Sequence, residues 1–277
     1  MSALLDMMAE RPRWVALTGA GISVASGIPT YRNDRGEWQR SDPIQHRDFI
    51  ENEASRRRYW ARSMAGWSYV AQSSPNRAHH ALAALEEAGY IDLLATQNVD
   101  RLHQRAGHQA VVDLHGRLDR VKCLDCGEEL ERASLQEELE ALNPDWKATI
   151  AAIRPDGDAE VADEVVDAMN VPPCQACGGT LMPDVVFFGG TVPRPRVDRI
   201  TAAIEQADGL LVAGSSLMVY SGFRFARQAH AAGKALVIIN RGQTRADELV
   251  TLKVEEDADD ALDQLASSLG SASASVG

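Results

Sequence analysis

The chain predicts an α/β protein built on a doubly wound parallel sheet, and three observations predict it. Apolar runs of about five residues recur at 14–18, 91–96 (IDLLAT), 110–114 (AVVDL), 185–188 (VVFF), 209–213 (GLLVA) and 235–239 (ALVII). Helical patterns such as 78–88 and 222–232 separate them, and short unalternating runs are what strands buried on both faces of a parallel sheet show. Nearly every run ends directly in a polar cluster: Gly19, Gln97-Asn98, His115, Gly214-Ser215-Ser216 and Asn240. Ligands of such sheets collect beyond the carboxyl ends of the strands, so these clusters are expected to converge on one site.

The first run is the most informative. Val15-Ala16-Leu17 breaks into Gly19-Ala20-Gly21 ahead of Ser23, a buried strand ending where backbone must approach something closely. Two glycines at that spacing allow positive φ and remove the side chains that would fend off a diphosphate. The arrangement is Rossmann-like and the ligand implied is a nucleotide. The G-x-G-x-x-G fingerprint is met only in part, because Val24 holds its third position. The continuation Ser26-Gly27-Ile28-Pro29-Thr30-Tyr31-Arg32 cannot extend a plain helix. A short helix is expected, with the chain turning back over the ligand and Tyr31 and Arg32 at its tip.

Two insertions interrupt the pattern. Residues 37–80 are helical and rich in aromatics, as a cap over the nucleotide would be, and residues 120–180 hold all four cysteines around an acidic excursion at 128–173. The Rossmann-like domain is then discontinuous, over 1–36, 81–119 and 181–266. The tail 267–277 is small and polar and is expected to be disordered. Cys123-x-x-Cys126 and Cys174-x-x-Cys177, each followed by a glycine (Gly127, Gly178), are two knuckles that fit one tetrahedral zinc ion. Disulfides or a redox pair are the alternatives. With four thiolates the zinc has no open position, so its role is structural.

Further along, His115 closes an apolar run just before Gly116 and stands out among seven histidines; a strand's carboxyl end favours a site imidazole over a core one. His103 reads as packing beneath the loop. Gln97, Asn98 and Asp100 can hold ribose hydroxyls and a carboxamide, although Asn and Asp also serve ordinary turns. Gly214-Ser215-Ser216 offers small residues and hydroxyls for phosphate or ribose, with a simple turn as the rival. Asn240 ends its run where a ribose-reading group belongs, while Gln39 and Arg40 stand where the fingerprint's acidic residue would be.

These blocks, with Leu114-His115-Gly116 and the four cysteines, resemble the sirtuin family of NAD-dependent protein deacylases in the same order from about residue 14 to 262. Tyr59-Trp60-Ala61-Arg62, Pro155-Asp156-Gly157-Asp158 and Val219-Tyr220-Ser221-Gly222 resemble the class II branch. Thr30 and Tyr31 stand where many members carry Asp and Phe, and Gly190 where an acidic residue is usual.

The resemblance implies that His115 is the general base, that Asn98, Asp100 and Ile28 line a nicotinamide pocket, and that Gln97 and Asn98 hold the nicotinamide ribose. It extends the nucleotide contacts to Arg241, Gly242 and Ala258. Val185, Phe187, Phe188 and Gly189 become the edge to which an acyl-lysine peptide adds as a strand, beside their plain reading as a buried strand. Tyr59 and Arg62, spaced i, i+3, could meet a carboxylate at the end of an acyl chain; packing in the cap and facing water are their ordinary roles. The reaction implied passes the acyl group from lysine to ADP-ribose and releases nicotinamide. Mono-ADP-ribosyl transfer to protein, or a non-catalytic NAD-binding zinc module, are the alternatives.

Composition narrows the rest. No apolar stretch reaches the ~20 residues of a spanning helix, and the opening MSALLDMMAERPRW lacks a signal peptide's basic start and long apolar centre, so a cytoplasmic protein is expected. A net charge of −12 argues against a nucleic-acid surface and suits lysine-bearing protein or peptide partners.

Overall fold

The computed structural model describes residues 1–31, 33, 37, 43–146 and 163–274. Arg32, Gln39, Arg40 and the Pro155–Asp158 block lie outside them. The strands are β1 (Trp14–Thr18), β2 (Ile91–Thr96), β3 (Val111–Asp113), β4 (Gly116–Cys123), β5 (Glu129–Glu131), β6 (Leu181–Val185), β7 (Gly209–Ala213), β8 (Ala235–Ile239) and β9 (Leu252–Val254). The helices are α1 (Ser2–Glu10), α2 (His46–Glu51), α3 (Glu53–Gln72), α4 (Arg77–Glu87), α5 (Leu102–Arg105), α6 (Arg132–Leu142), α7 (Asp163–Asp167), α8 (Arg194–Gln206), α9 (Tyr220–Ala231) and α10 (Ala258–Ala274).

Six strands form a parallel sheet in the order β3-β2-β1-β7-β8-β9. Strands β1, β7 and β8 are buried at every position, as their unbroken apolar runs require. Helices α1, α4 and α10 cover one face through Leu4, Leu82 and Leu262; α8 and α9 cover the other through Ile200, Ile204 and Phe225. Because β1 lies between β2 and β7, the chain runs outward from it both ways, and the crevice beyond Thr18 and Ala213 is the switch point where such sheets bind ligands.

The run at 185–188 is not a strand of this sheet. Leu181–Val185 pairs antiparallel with β4 in a second sheet of order β5-β4-β6, and the run beyond it takes its burial from aromatic packing: Phe187 stacks on Phe49 at 4.9 Å and meets Tyr59 edge-on at 5.2 Å. The three-residue edge strand β9 has too little apolar pattern to be visible in the sequence. The small sheet and helices α2, α3 and α6 share one core of Phe49, Trp60, Val121, Leu135 and Leu181. Arg132, buried on α6, lies between the rings of Trp60 and Trp67 at 5.6 and 5.1 Å and donates to the Ser63 carbonyl.

Helix α4 begins inside the 37–80 interval, yet packs on α10 and β2. The tail also departs from expectation: α10 continues to Ala274 because Leu265 and Leu269 are buried against the sheet, and alanine and serine between them suit a helix once packing supplies the stability. No helix among the described residues is long and apolar enough to cross a membrane.

Candidate active site

Beyond the carboxyl ends of β1, β2 and β7 lies one cleft of about 770 Å³. One of its walls is the loop after β1. Gly19 and Gly21 do not use the left-handed region, which here is taken by Gly27 at φ 87°; their reason is close approach. A Cβ on Gly19 would stand 2.8 Å from the Ser215 Cβ, and one on Gly21 would stand 2.8 Å from the Gly214 carbonyl oxygen. The two strand-end loops are therefore locked edge to edge, and Gly19, Ala20 and Gly21 share the cleft with Gly214, Ser215 and Ser216. Residues 20–26 form the expected short helix, a 3-10 turn.

The turn after β2 fills the floor. The Gln97 side chain donates to Ser215 Oγ at 2.7 Å and to the Thr18 carbonyl at 3.2 Å. Asn98 Nδ2 donates to Ser23 Oγ at 3.0 Å, and Ser23 Oγ donates to Asp100 Oδ2 at 2.7 Å. Asp100 is buried, and burial raises its pKa against the opposing effect of the Leu102 N–H and the Ser23 hydroxyl. A polar chain of Asn98, Ser23 and Asp100 thus faces a wall made by buried Ile28, the donor and acceptor set that a carboxamide requires.

His115 follows β3 and comes half-buried into the same cleft. Its Nδ1 lies 3.0 Å from the Gln97 carbonyl and its Nε2 2.7 Å from Ser221 Oγ. Desolvation lowers its pKa to about 4; the Gln97 carbonyl opposes this and the Arg196 guanidinium adds to it. The imidazole is neutral near pH 7 and able to accept a proton. Val185, Phe187, Phe188 and Gly189 line the far side with Tyr59, and the return of the chain after Gly27 is closed by an edge contact of Tyr31 with Phe188 at 6.3 Å.

Asn240, Arg241 and Ala258 also line the cleft, with Arg241 paired to Asp257 at 2.6 Å. Gly242 and Arg62 do not line it: Gly242 turns the chain at φ 74°, and Arg62 is buried one helical turn beyond Tyr59. His103 packs beneath the floor, its Nε2 2.9 Å from Thr18 Oγ1. The sequence did not single out its companions His79 and His108, whose rings lie 4.7 and 5.7 Å away, nor the contact of Ser221 with His115, whose one signal is a serine in the first turn of the helix after the Gly214-Ser215-Ser216 cluster.

Away from the cleft, the four cysteine sulfurs lie within 4.8 Å of one another. Cys123–Cys177 and Cys126–Cys174 are 3.5 and 3.8 Å apart, too far for disulfides and close to the ~3.8 Å edge of a tetrahedron with ~2.3 Å zinc–sulfur bonds. Gly127 and Gly178, both at φ 77°, turn their N–H groups to the Cys123 and Cys174 carbonyls and shape two matching knuckles. The residues fit a closed structural zinc ion.

Comparison with known proteins agrees with this site. The Sir2 family model matches residues 19–221. The chain is 51% identical over 267 residues to an NAD-dependent protein deacetylase of Bordetella bronchiseptica, covering 96% of this chain and 97% of that one. It is 48% identical over 246 residues to the mitochondrial NAD-dependent protein lipoamidase sirtuin-4 of Bos taurus, covering 88% and 78%. Among solved structures, a complex of Sir2 with p53 peptide and NAD+ superposes with a TM-score of 0.80 at 31% identity over 98% of both chains, and Sir2Tm bound to a propionylated peptide with 0.77 at 31% over 98% of both. A family model that covers residues 19–221, and relatives at half identity over nearly the full length, show that the chain belongs to the Sir2 family.

Proposed function

We propose that this chain is an NAD-dependent protein lysine deacylase that moves an acyl group from lysine to ADP-ribose, and that it belongs to the family's class II branch. The observation that carries the reading is the position of His115: a neutral imidazole, anchored by the Gln97 carbonyl, at the junction of the polar half and the aromatic half of one cleft. Bound NAD supplies the electrophilic carbon and the leaving nicotinamide. The Gly19–Gly21 and Gly214–Ser216 loops let backbone approach its phosphates and ribose. Asn98 and Asp100 orient the carboxamide end, and Asn240, Arg241 and Ala258 border the other.

Val185 to Gly189 take the peptide as an added strand, while Phe187 and Tyr59 exclude water around the acyl chain. His115 Nε2 is the atom that accepts a proton during transfer. The discontinuous domain plan, with the cysteine module and the helical cap as insertions, and a cytoplasmic setting accompany this reading.

The test is nicotinamide release from NAD with peptides carrying acetyl, glutaryl and long acyl groups on lysine. Release that requires an acylated peptide, with recovery of O-acyl-ADP-ribose, is expected. Release unchanged by any acyl peptide, with label from NAD appearing on protein, would favour ADP-ribosyl transfer instead. No release under any condition would leave only an NAD-binding module.

A further inference from the structure

The hydrogen bonds of His115 fix its tautomer. A carbonyl oxygen only accepts, so Nδ1, 3.0 Å from the Gln97 carbonyl, carries the proton. In the neutral ring Nε2 then holds the lone pair, and Ser221 Oγ, 2.7 Å away, must donate to it. This donor is built in. Ser221 lies in the first turn of α9, and that turn sits directly on the Gln97 loop: a Cβ on the next residue, Gly222, would stand 2.6 Å from Gln97 Oε1. Gln97 thus touches both partners, holding Nδ1 with its carbonyl and seating the helix that presents Ser221.

We propose that Ser221 is a positioning residue for His115: its hydroxyl holds the ring as the Nδ1–H tautomer and occupies Nε2 until a ribose hydroxyl of the bound nucleotide replaces it. The inference rests on the deacylase reading for its second half only. A hydroxyl donated to a neutral imidazole stabilises the uncharged form, so Ser221 adds to burial in keeping the base free of its own proton. The charged group acting on the ring is Arg196 on α8, itself paired with Asp184 at 3.7 Å. Asp100, Tyr220 and Arg224 are ionisable side chains that line the same cleft, and none of them is removed by substitution at Ser221.

The experiment follows the His115 ring by NMR titration in wild type, Ser221→Ala and Ser221→Thr, alongside the pH profile of kcat/KM for NAD and melting temperatures. Ser221→Ala is expected to raise the His115 pKa and move the acid limb upward by roughly half to one pH unit, the effect of one lost neutral hydrogen bond. Ser221→Thr, which keeps the hydroxyl, is expected to restore both. Unchanged titration in Ser221→Ala, or a threonine variant that behaves like alanine, overturns the proposal. The ring titration is read without NAD, so it decides the matter even if the protein has no deacylase activity. A lowered melting temperature in Ser221→Ala with an unshifted ring would mark Ser221 as merely structural.

Discussion

The amide of Gly21 donates to the Gly214 carbonyl at 2.8 Å, and a methyl group on Gly21 would stand 2.8 Å from that same oxygen. Two loops that are distant in sequence meet here backbone to backbone. Gly21→Ala must push them apart, so a stability loss of roughly 1–3 kcal/mol is expected, together with at least tenfold weaker NAD binding. Calorimetry and NAD titration of the variant check this; wild-type values in both would show that the loops have slack.

His115→Ala removes the proton acceptor while the Gln97 carbonyl and Ser221 hydroxyl it leaves behind remain at the cleft, within reach of water. Deacylation is expected to fall by roughly two to four orders of magnitude, with melting temperature and NAD affinity close to wild type. Turnover at the wild-type rate would remove His115 from the chemistry, and an unfolded variant would make it a core residue.

The sulfur geometry predicts one zinc ion per chain by metal analysis. Cys123→Ser should reduce folded yield, because Cys123 is both a ligand and a buried member of the core shared with the cap. A stoichiometry near zero in protein purified under reducing conditions would refute this.

Three buried histidines should make the fold acid-sensitive. Burial lowers the pKa of His79 to about 3, and also lowers those of His103 and His108, so all three are neutral in the folded protein. In the unfolded chain they bind protons below about pH 6.5. Their contribution is therefore complete above that pH and is lost as pH falls; Glu86, 2.9 Å from His108 Nδ1, opposes the shift at that ring. Asp100 and Asp113, whose pKa values burial raises, oppose the trend at the acid end. Urea unfolding at pH 7.5 and 5.5 measures the difference; equal stability at both would contradict the burial of uncharged rings.

Tyr59 and Arg62 sit one turn apart on α3, but only Tyr59 lines the cleft. Arg62 is buried beside the cleft wall on the same helix. The expected signature is kcat/KM higher for glutaryl or long acyl groups than for acetyl, with Arg62→Ala selectively impairing the glutaryl peptide. An effect of equal size on all three peptides would assign Arg62 to packing.

The strands β1, β7 and β8 were legible because a strand buried on both faces needs a nearly unbroken apolar run, and β2 keeps that pattern but for exposed Asp92. That logic misplaced 185–188, since an apolar run states that a segment is buried and not what buries it; Phe187 is covered by Phe49 and Tyr59, about 130 residues away in sequence. The converging polar clusters were readable from topology alone. The hydrogen bond of Ser221 to His115 was not, because it joins the first turn of α9 to the turn after β3, and no local pattern records such a meeting. Glycine at 19 and 21 answers to the close approach of the Gly214–Ser215 loop, not to the positive φ the sequence suggested.

Strand β4 starts one residue after His115 and ends on Cys123. One strand, turned at Gly116 by a φ of 89° and irregular in its pairing before Val121, connects the imidazole to the tetrathiolate cluster. The cluster is thus the anchor of the strand's outer end. Turnover measured before and after chelation or thiol oxidation should fall if loosening that end is felt at His115, and unchanged turnover would show that the two ends of the strand act independently.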